Sequence, residues 1–203
     1  MEANMANINH SALTDPYLHE PKGVAAAAAG RDYRSDGAGS GAWEKIQGWG
    51  QYQDSRTTVG TPVFNTSTGV RTKYLNNGAG LTVEYLPSDA TVPLWDVTTN
   101  KHIPIAENDV YDIRTSFVAE NYAGTTPYVL CELDIGGGIG VIFSQIIPLI
   151  KGGVAQPCSF SFPVFTGSTY IVNGGEIYLT YVGTGTCDIY STSNMIHRQS
   201  RQS

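Results

Sequence analysis

The residue types that most often do chemistry are few in this chain, and their spacing is poor for it. Cys131, Cys158 and Cys187 stand far apart and are odd in number. A disulfide framework or a zinc site draws on close pairs such as C-x-x-C, so three buried thiols on strands are expected instead. His10, His19, His102 and His197 show no spacing that would hold a metal. The run Gly136-Gly137-Gly138-Ile139-Gly140 lacks the spacing of a phosphate-binding loop and is flanked by strand-like sequence, which reads as a hairpin turn. Glu132 and Asp134, two apart on a strand, share one face as glycosidase carboxylates do; such a pair is more commonly a solvated face. No nucleophile elbow and no Ser/His/Asp set can be singled out. The expectation is no enzyme, no cofactor and no metal.

Over the whole chain, hydrophobic residues make up 41% of the 203 and charged residues only 15%, with 23 glycines and 12 tyrosines. That balance fits a turn-rich β protein with a polar, weakly charged surface. The net charge of −6 argues against nucleic acid as a partner, because phosphate binding needs a concentrated basic face. The one local basic cluster, His197-Arg198-Gln199-Ser200-Arg201, reads as a solvated tail. No apolar run approaches the roughly 20 residues of a bilayer-crossing helix, so no membrane partner is expected. Met1 to Asn9 has neither a basic nor an apolar leader region, which predicts synthesis and retention in a cytoplasm and leaves the sequons at Asn9 and Asn65 without meaning.

From about Trp49 onward the pattern is that of strands. Tyr111, Ile113 and Phe117 alternate with Asp112, Arg114 and Ser116, the period-two mark of a half-buried strand. Val129, Cys131, Leu133 and Ile135 repeat it, as do Phe160, Phe162 and Val164, then Ile177, Leu179 and Tyr181, then Cys187 and Ile189. Val141 to Ile150 differs: it is apolar almost throughout, which predicts burial on both faces or a subunit contact. Asn77-Gly78, Lys151-Gly152-Gly153, Asn173-Gly174-Gly175 and Gly183-Thr184-Gly185 punctuate these runs as turns. Short strands with glycine turns and no sustained helical period predict an all-β two-sheet sandwich over 49–203, in the form of a jelly roll. Its many aromatic residues exceed what one such sandwich hides, which predicts a cyclic homotrimer with Phe143, Ile147, Tyr178, Tyr181 and Tyr190 at the interface.

Residues 1–48 follow other rules. Two prolines, the run Ala25 to Ala29 and the stretch Ser35 to Gly41 cannot close a core of their own. Two readings are open, a disordered tail and an extended arm with glycine-rich linker that orders on a partner through Leu13, Pro16, Tyr17, Leu18 and Val24 as apolar anchors; the arm is the reading favoured.

The arm also carries a resemblance. Leu13-Thr14-Asp15-Pro16, then His19-Glu20-Pro21-Lys22-Gly23-Val24, then Asp36-Gly37-Ala38-Gly39-Ser40-Gly41-Ala42-Trp43 resemble, in that order, the N-terminal segment of capsid decoration, head-fibre or cement proteins of tailed bacteriophages. The likeness covers about the first fifth of the chain. The remainder looks like the tumour-necrosis-factor-like or C1q-like trimeric jelly rolls of such proteins, by pattern and without a diagnostic motif. The resemblance implies a structural virion protein on the outer capsid surface, made in a bacterial cytoplasm. It implies docking on the major capsid protein through His10, Leu13, Thr14, Asp15, Pro16, Tyr17, Leu18, His19, Pro21, Val24 and Trp43. Arg31-Asp32-Tyr33-Arg34 departs from the polar or β-forming stretch more usual there. The alternative is a trimeric tail or fibre protein whose outer loops bind a host receptor or glycan, with Trp49, Tyr52 and Trp95 as stacking surfaces.

Overall fold

The computed structural model describes residues 31–35, 41–57 and 60–200, which fall into two units divided between Lys45 and Ile46. In the first unit, β1 (Asp32–Ser35) and β2 (Gly41–Glu44) form an antiparallel hairpin with Tyr33 opposite Trp43. The two rings meet edge to face at 5.4 Å, a cross-strand aromatic pair that favours pairing over an open linker. The expected extended arm is therefore corrected over these residues: they are a hairpin. Of the expected docking residues only Trp43 is described; His10, Leu13, Thr14, Asp15, Pro16, Tyr17, Leu18, His19, Pro21 and Val24 lie outside the described residues.

The second unit contains β3 (Gly48–Gln53), β4 (Phe64–Ser67), β5 (Arg71–Lys73), β6 (Gly80–Thr82), β7 (Trp95–Asp96), β8 (Lys101–His102), β9 (Val110–Glu120), β10 (Ala123–Asp134), β11 (Val141–Pro148) and β12 (Gln156–Phe165). A short helix α1 (Ser168–Asn173), β13 (Glu176–Thr184) and β14 (Thr186–Ser200) complete it. One sheet runs β12-β9-β14-β3-β6, with β4 also paired to β14; the other runs β11-β10-β13-β5. All the pairings are antiparallel. Taking β3, β5, β9, β10, β11, β12, β13 and β14 as eight strands in chain order, one sheet sets first beside eighth beside third beside sixth, and the other sets second beside seventh beside fourth beside fifth. That connectivity, two interlocked Greek keys, is a jelly roll. The fold is all-β, as the alternating runs predict.

The period-two reading holds in detail. Tyr111, Ile113 and Phe117 on β9, Val129, Cys131 and Leu133 on β10, Phe160, Phe162 and Val164 on β12, and Ile177, Leu179 and Tyr181 on β13 all lie in one core between the sheets. The three cysteines are free and buried there. Gly136, Gly137 and Gly138 turn from β10 to β11 with φ of 60°, 58° and 83°, a left-handed path that side chains resist.

Two boundaries move. The second unit begins at Ile46, not at residue 49, because the Ile46 carbonyl accepts a hydrogen bond from Arg198 Nε at 3.0 Å and Gln47 Nε2 donates to Gln199 O at 3.1 Å. The basic segment at 197–200 is part of β14, paired on one side to β3 and on the other to β9. Arg198 is fully buried, so the solvated-tail expectation is corrected: long-range pairing carries the strand through to Ser200.

Candidate functional site

The surface feature with the most chemistry of its own is the β11 edge. β11 pairs only with β10 among the described residues, so its far side is a free sheet edge. Its residues Val141-Ile142-Phe143-Ser144-Gln145-Ile146-Ile147-Pro148 include no charge. One parity turns toward the sandwich, where Phe143 and Ile147 pack partly buried on the core and Phe143 stacks on Phe162 at 4.7 Å. The other parity places Ile142 and Ile146 in solvent, Ile146 at 56% exposure. Ile139, Val141, Ile150, Val154 and Phe165 extend the exposed apolar set along the β11–β12 side. Beside it, Ile135, Ile139, Ile142, Val164 and Phe165 line a shallow hollow of about 430 Å³. Soluble proteins blunt sheet edges with lysine, proline or a bulge. Apart from Pro148 at its end and the register shift at Leu133/Asp134 where it begins, this edge has none of these. Apolar patches of several hundred Å² on a chain mark interaction surfaces.

The outward face of β10 and β13 is charged at one end. Arg71 donates from Nε to Glu132 at 2.8 Å and from Nη2 to Asp134 at 2.7 Å, and its guanidinium lies 3.7 Å over the Tyr178 ring. The paired carboxylates are therefore clamped by one guanidinium, an arrangement that fixes β5 to β10 and β13. Lys73 and Lys101 both reach Glu176, at 2.9 and 3.1 Å, and Tyr178 donates to the same carboxylate. Burial alone would push the Glu176 carboxyl up; the hydrogen bonds from Lys73, Tyr178 and Lys101 outweigh it and hold the group at about 2.

The expected trimer tyrosines separate. Tyr178 is half-buried in the charged cluster just described. Tyr181 and Tyr190, 0% and 2% exposed, are corrected: they are buried within the chain and have almost no surface to offer a second copy. The Tyr181 hydroxyl donates to the Ala123 carbonyl and accepts from Ala123 N at 2.9 Å and Thr184 N at 3.1 Å, which closes the β10–β13 end. Tyr190 packs its hydroxyl against Asp188 and the Gly60 amide. Of the three stacking residues of the glycan alternative, only Trp49 is not buried. Tyr52 and Trp95 are buried, and Trp49 stacks on Tyr85 at 4.8 Å.

A polar cluster that sequence reasoning missed lies inside the second unit. Arg198 Nη1 meets both Asp89 oxygens at 2.9 and 3.1 Å and Asp109 Oδ2 at 3.4 Å. Tyr111 donates to Asp109 at 3.1 Å, and its ring lies edge-on to His102, whose Nδ1 is 2.7 Å from the Tyr170 hydroxyl. Burial pushes the His102 imidazole down to about 3, so it is neutral at ordinary pH. The burial of Asp109 pushes its carboxyl up against the pull of Arg198. Arg198, Asp109, Tyr111, His102 and Tyr170 are at most 1% exposed, so the cluster is a buried tie between strand ends rather than an open site. Asp109 follows Glu107-Asn108 and Arg198 lies in His197-Arg198-Gln199, polar stretches that give no sign that the two meet inside the fold.

No protein-family model and no curated protein sequence matches the chain. Among solved structures, the chain is similar to an Eiger tumour necrosis factor from S. frugiperda, with TM-score 0.45 and 7% identity over 78% of this chain and 96% of that one. It is similar to the PRD1 vertex protein P5, with TM-score 0.44 and 9% identity over 77% and 99%. A looser match is VP2 of infectious bursal disease virus in its subviral particle, with TM-score 0.30 and 11% identity over 75% of this chain and 30% of that one. With all three TM-scores below 0.5, the jelly-roll assignment rests on strand order and register alone.

Proposed function

We propose that this chain is a non-enzymatic structural protein of a tailed-bacteriophage virion that decorates and stabilises the outer capsid surface. Its head forms a homotrimer, and its N-terminal arm docks on the major capsid protein. The observation that carries this reading is the uncharged β11 edge, with Ile142 and Ile146 in solvent and a free row of backbone donors and acceptors. Such a strand is finished by another copy of the chain: Phe143 and Ile147 face its own core while Ile142 and Ile146 meet a neighbour. Three copies close a ring by repeating one such contact. The arm's resemblance to phage decoration proteins supplies the capsid partner. Three arms per trimer turn weak single contacts into stable attachment, and binding the assembled lattice alone stabilises it by mass action.

The test removes Met1–Lys45 and no more, because Ile46 holds Arg198. The truncated head is expected to remain a folded trimer that no longer sediments with capsids; retained capsid binding sinks the arm assignment. In the full chain, Ile142→Lys with Ile146→Lys is expected to give monomers in sedimentation velocity with an unchanged β-sheet spectrum. Trimers in that variant remove β11 from the interface. Electron microscopy of the virion distinguishes decoration, with copies across the shell, from a tail fibre, with density at the tail alone.

A further inference from the structure

A ring of three repeats a contact between two different patches of one chain, so the β11 edge needs a receiving surface elsewhere on the head. A second β11 set against the first would make a two-fold pair and stop there. The other open edges among the described residues receive poorly. β12 carries Pro157 and Pro163, and β5 and β6 are three residues each. The outward face of β10, β13 and β5 holds the ion pairs of Arg71, Lys73 and Lys101, whereas the centre of an interface is poor in charge.

Among the described residues that leaves the outward face of β12, β9, β14 and β3. Cross-strand register sets Ser159, Ser116 and Ser193 in one row and Ser161, Arg114, Met195 and Gln51 in the next. They line a groove of about 490 Å³ in which Arg114 is the only charged residue, its Nε held by Asp112 at 2.8 Å. The side chains of the four serines and Gln51 make no hydrogen bond among the described residues. The groove reaches Gln145 of β11 itself, so face and edge adjoin at one corner of the head. Two contact surfaces that meet at a corner can both turn toward a threefold axis.

The edge and the groove have matching needs. Leu149 N donates to Pro127 O, so by the alternation of an antiparallel pair the N–H and C=O groups of Ile142, Ser144 and Ile146 point away from β10. Hydroxyl and amide side chains both donate and accept, and can pair these groups as water is expelled. The short serine side chains leave the space that Ile142 and Ile146 fill.

We propose that this serine-lined face receives the β11 edge of the next copy, so that each head gives one edge and takes one. The assignment rests on the trimer reading above and names the second half of its contact.

The test compares variants of the full chain by sedimentation. Ser116→Arg, and independently Ser193→Arg on the adjoining strand, put a long cation in the middle of the groove. Both are expected to fall from trimer to monomer with unchanged circular dichroism and unfolding midpoint. Ile142→Lys with Ile146→Lys is expected to be monomeric as well. Mixed at millimolar concentration, this edge variant and either arginine variant are expected to form one-to-one dimers, because one intact edge then meets one intact face. Trimers in either arginine variant beside a monomeric edge variant overturn the proposal and leave β11 in the interface. A mixture without dimers also overturns it. An edge variant that remains trimeric overturns the β11 reading beneath it as well.

Discussion

Arg198, a permanent cation, is wholly buried, while Ile146 and Ile150, among the most apolar side chains, are 56% and 62% exposed. The two places differ in what surrounds them. Arg198 sits on β14, a strand with neighbours on both sides, and finds two carboxylates and a backbone carbonyl inside the fold. Ile146 sits on a strand with one neighbour among the described residues, and Ile150 follows just beyond its end. Burial here is decided by the partners that tertiary pairing brings, and residue type alone ranks these positions in the wrong order. The closed region tolerates Arg198 because opposite charge meets it there in Asp89 and Asp109, although Arg198 Nη2 and Asp109 Oδ1 have no hydrogen-bond partner among the described residues. The open region exposes apolar groups because no second strand of the described residues covers β11, the place where the proposed trimer contact would fall.

The contrast can be broken most forcefully at the closed region. Arg198→Met keeps the volume but leaves Asp109 buried without its cation, and is expected to cost about 3–5 kcal/mol at pH 7 in urea unfolding. The deficit should narrow as pH falls, because Asp109, whose carboxyl burial already pushes up, then takes a proton. A deficit that is small, or that does not change with pH, would show that the charge is not matched as described. Next in size is Leu133→Ala on β10, fully buried, expected to cost about 3 kcal/mol by the same measurement.

The neutral His102 sharpens the comparison through pH. Its folded-state value of about 3 lies below the ordinary 6.5, so below pH 6.5 the unfolded chain takes up a proton that the fold refuses. Stability should therefore fall by about 1.4 kcal/mol per pH unit between about 6.5 and 3, and His102→Gln should flatten that slope. Smallest is Ile146→Ala at the open edge, expected to change unfolding of the separated head by less than about 1 kcal/mol. The same change should weaken self-association measurably in sedimentation equilibrium. A large folding cost with intact association would reverse the roles assigned to the two regions.

Much of the sandwich was legible because strand alternation is local. Side chains two apart share a face whatever the strand pairs with, so Tyr111, Ile113 and Phe117 declared their burial before any partner was known. The glycine turns were equally legible, since a left-handed backbone needs them at Gly136 to Gly138. The site was far less so. Tyr181 and Tyr190 looked like interface residues by type, yet hydrogen bonds to Ala123, Thr184 and Asp188 hold them within the chain. Trp95 looked like a platform and is buried; its unpartnered N–H emerges only when its surroundings are known.

The sequence by itself determined the class of fold, the inward set of each alternating strand, the turns and the buried free thiols. All of these follow from the geometry of a few neighbouring residues. It left Val141 to Ile150 open between a doubly buried strand and a subunit contact, because a run apolar on both parities carries no sign of how many neighbours it will have. Only the jelly-roll pairing, joining residues such as Asp109 and Arg198 or Phe143 and Phe162 across long stretches of chain, decided which strand became an edge and which charge became core.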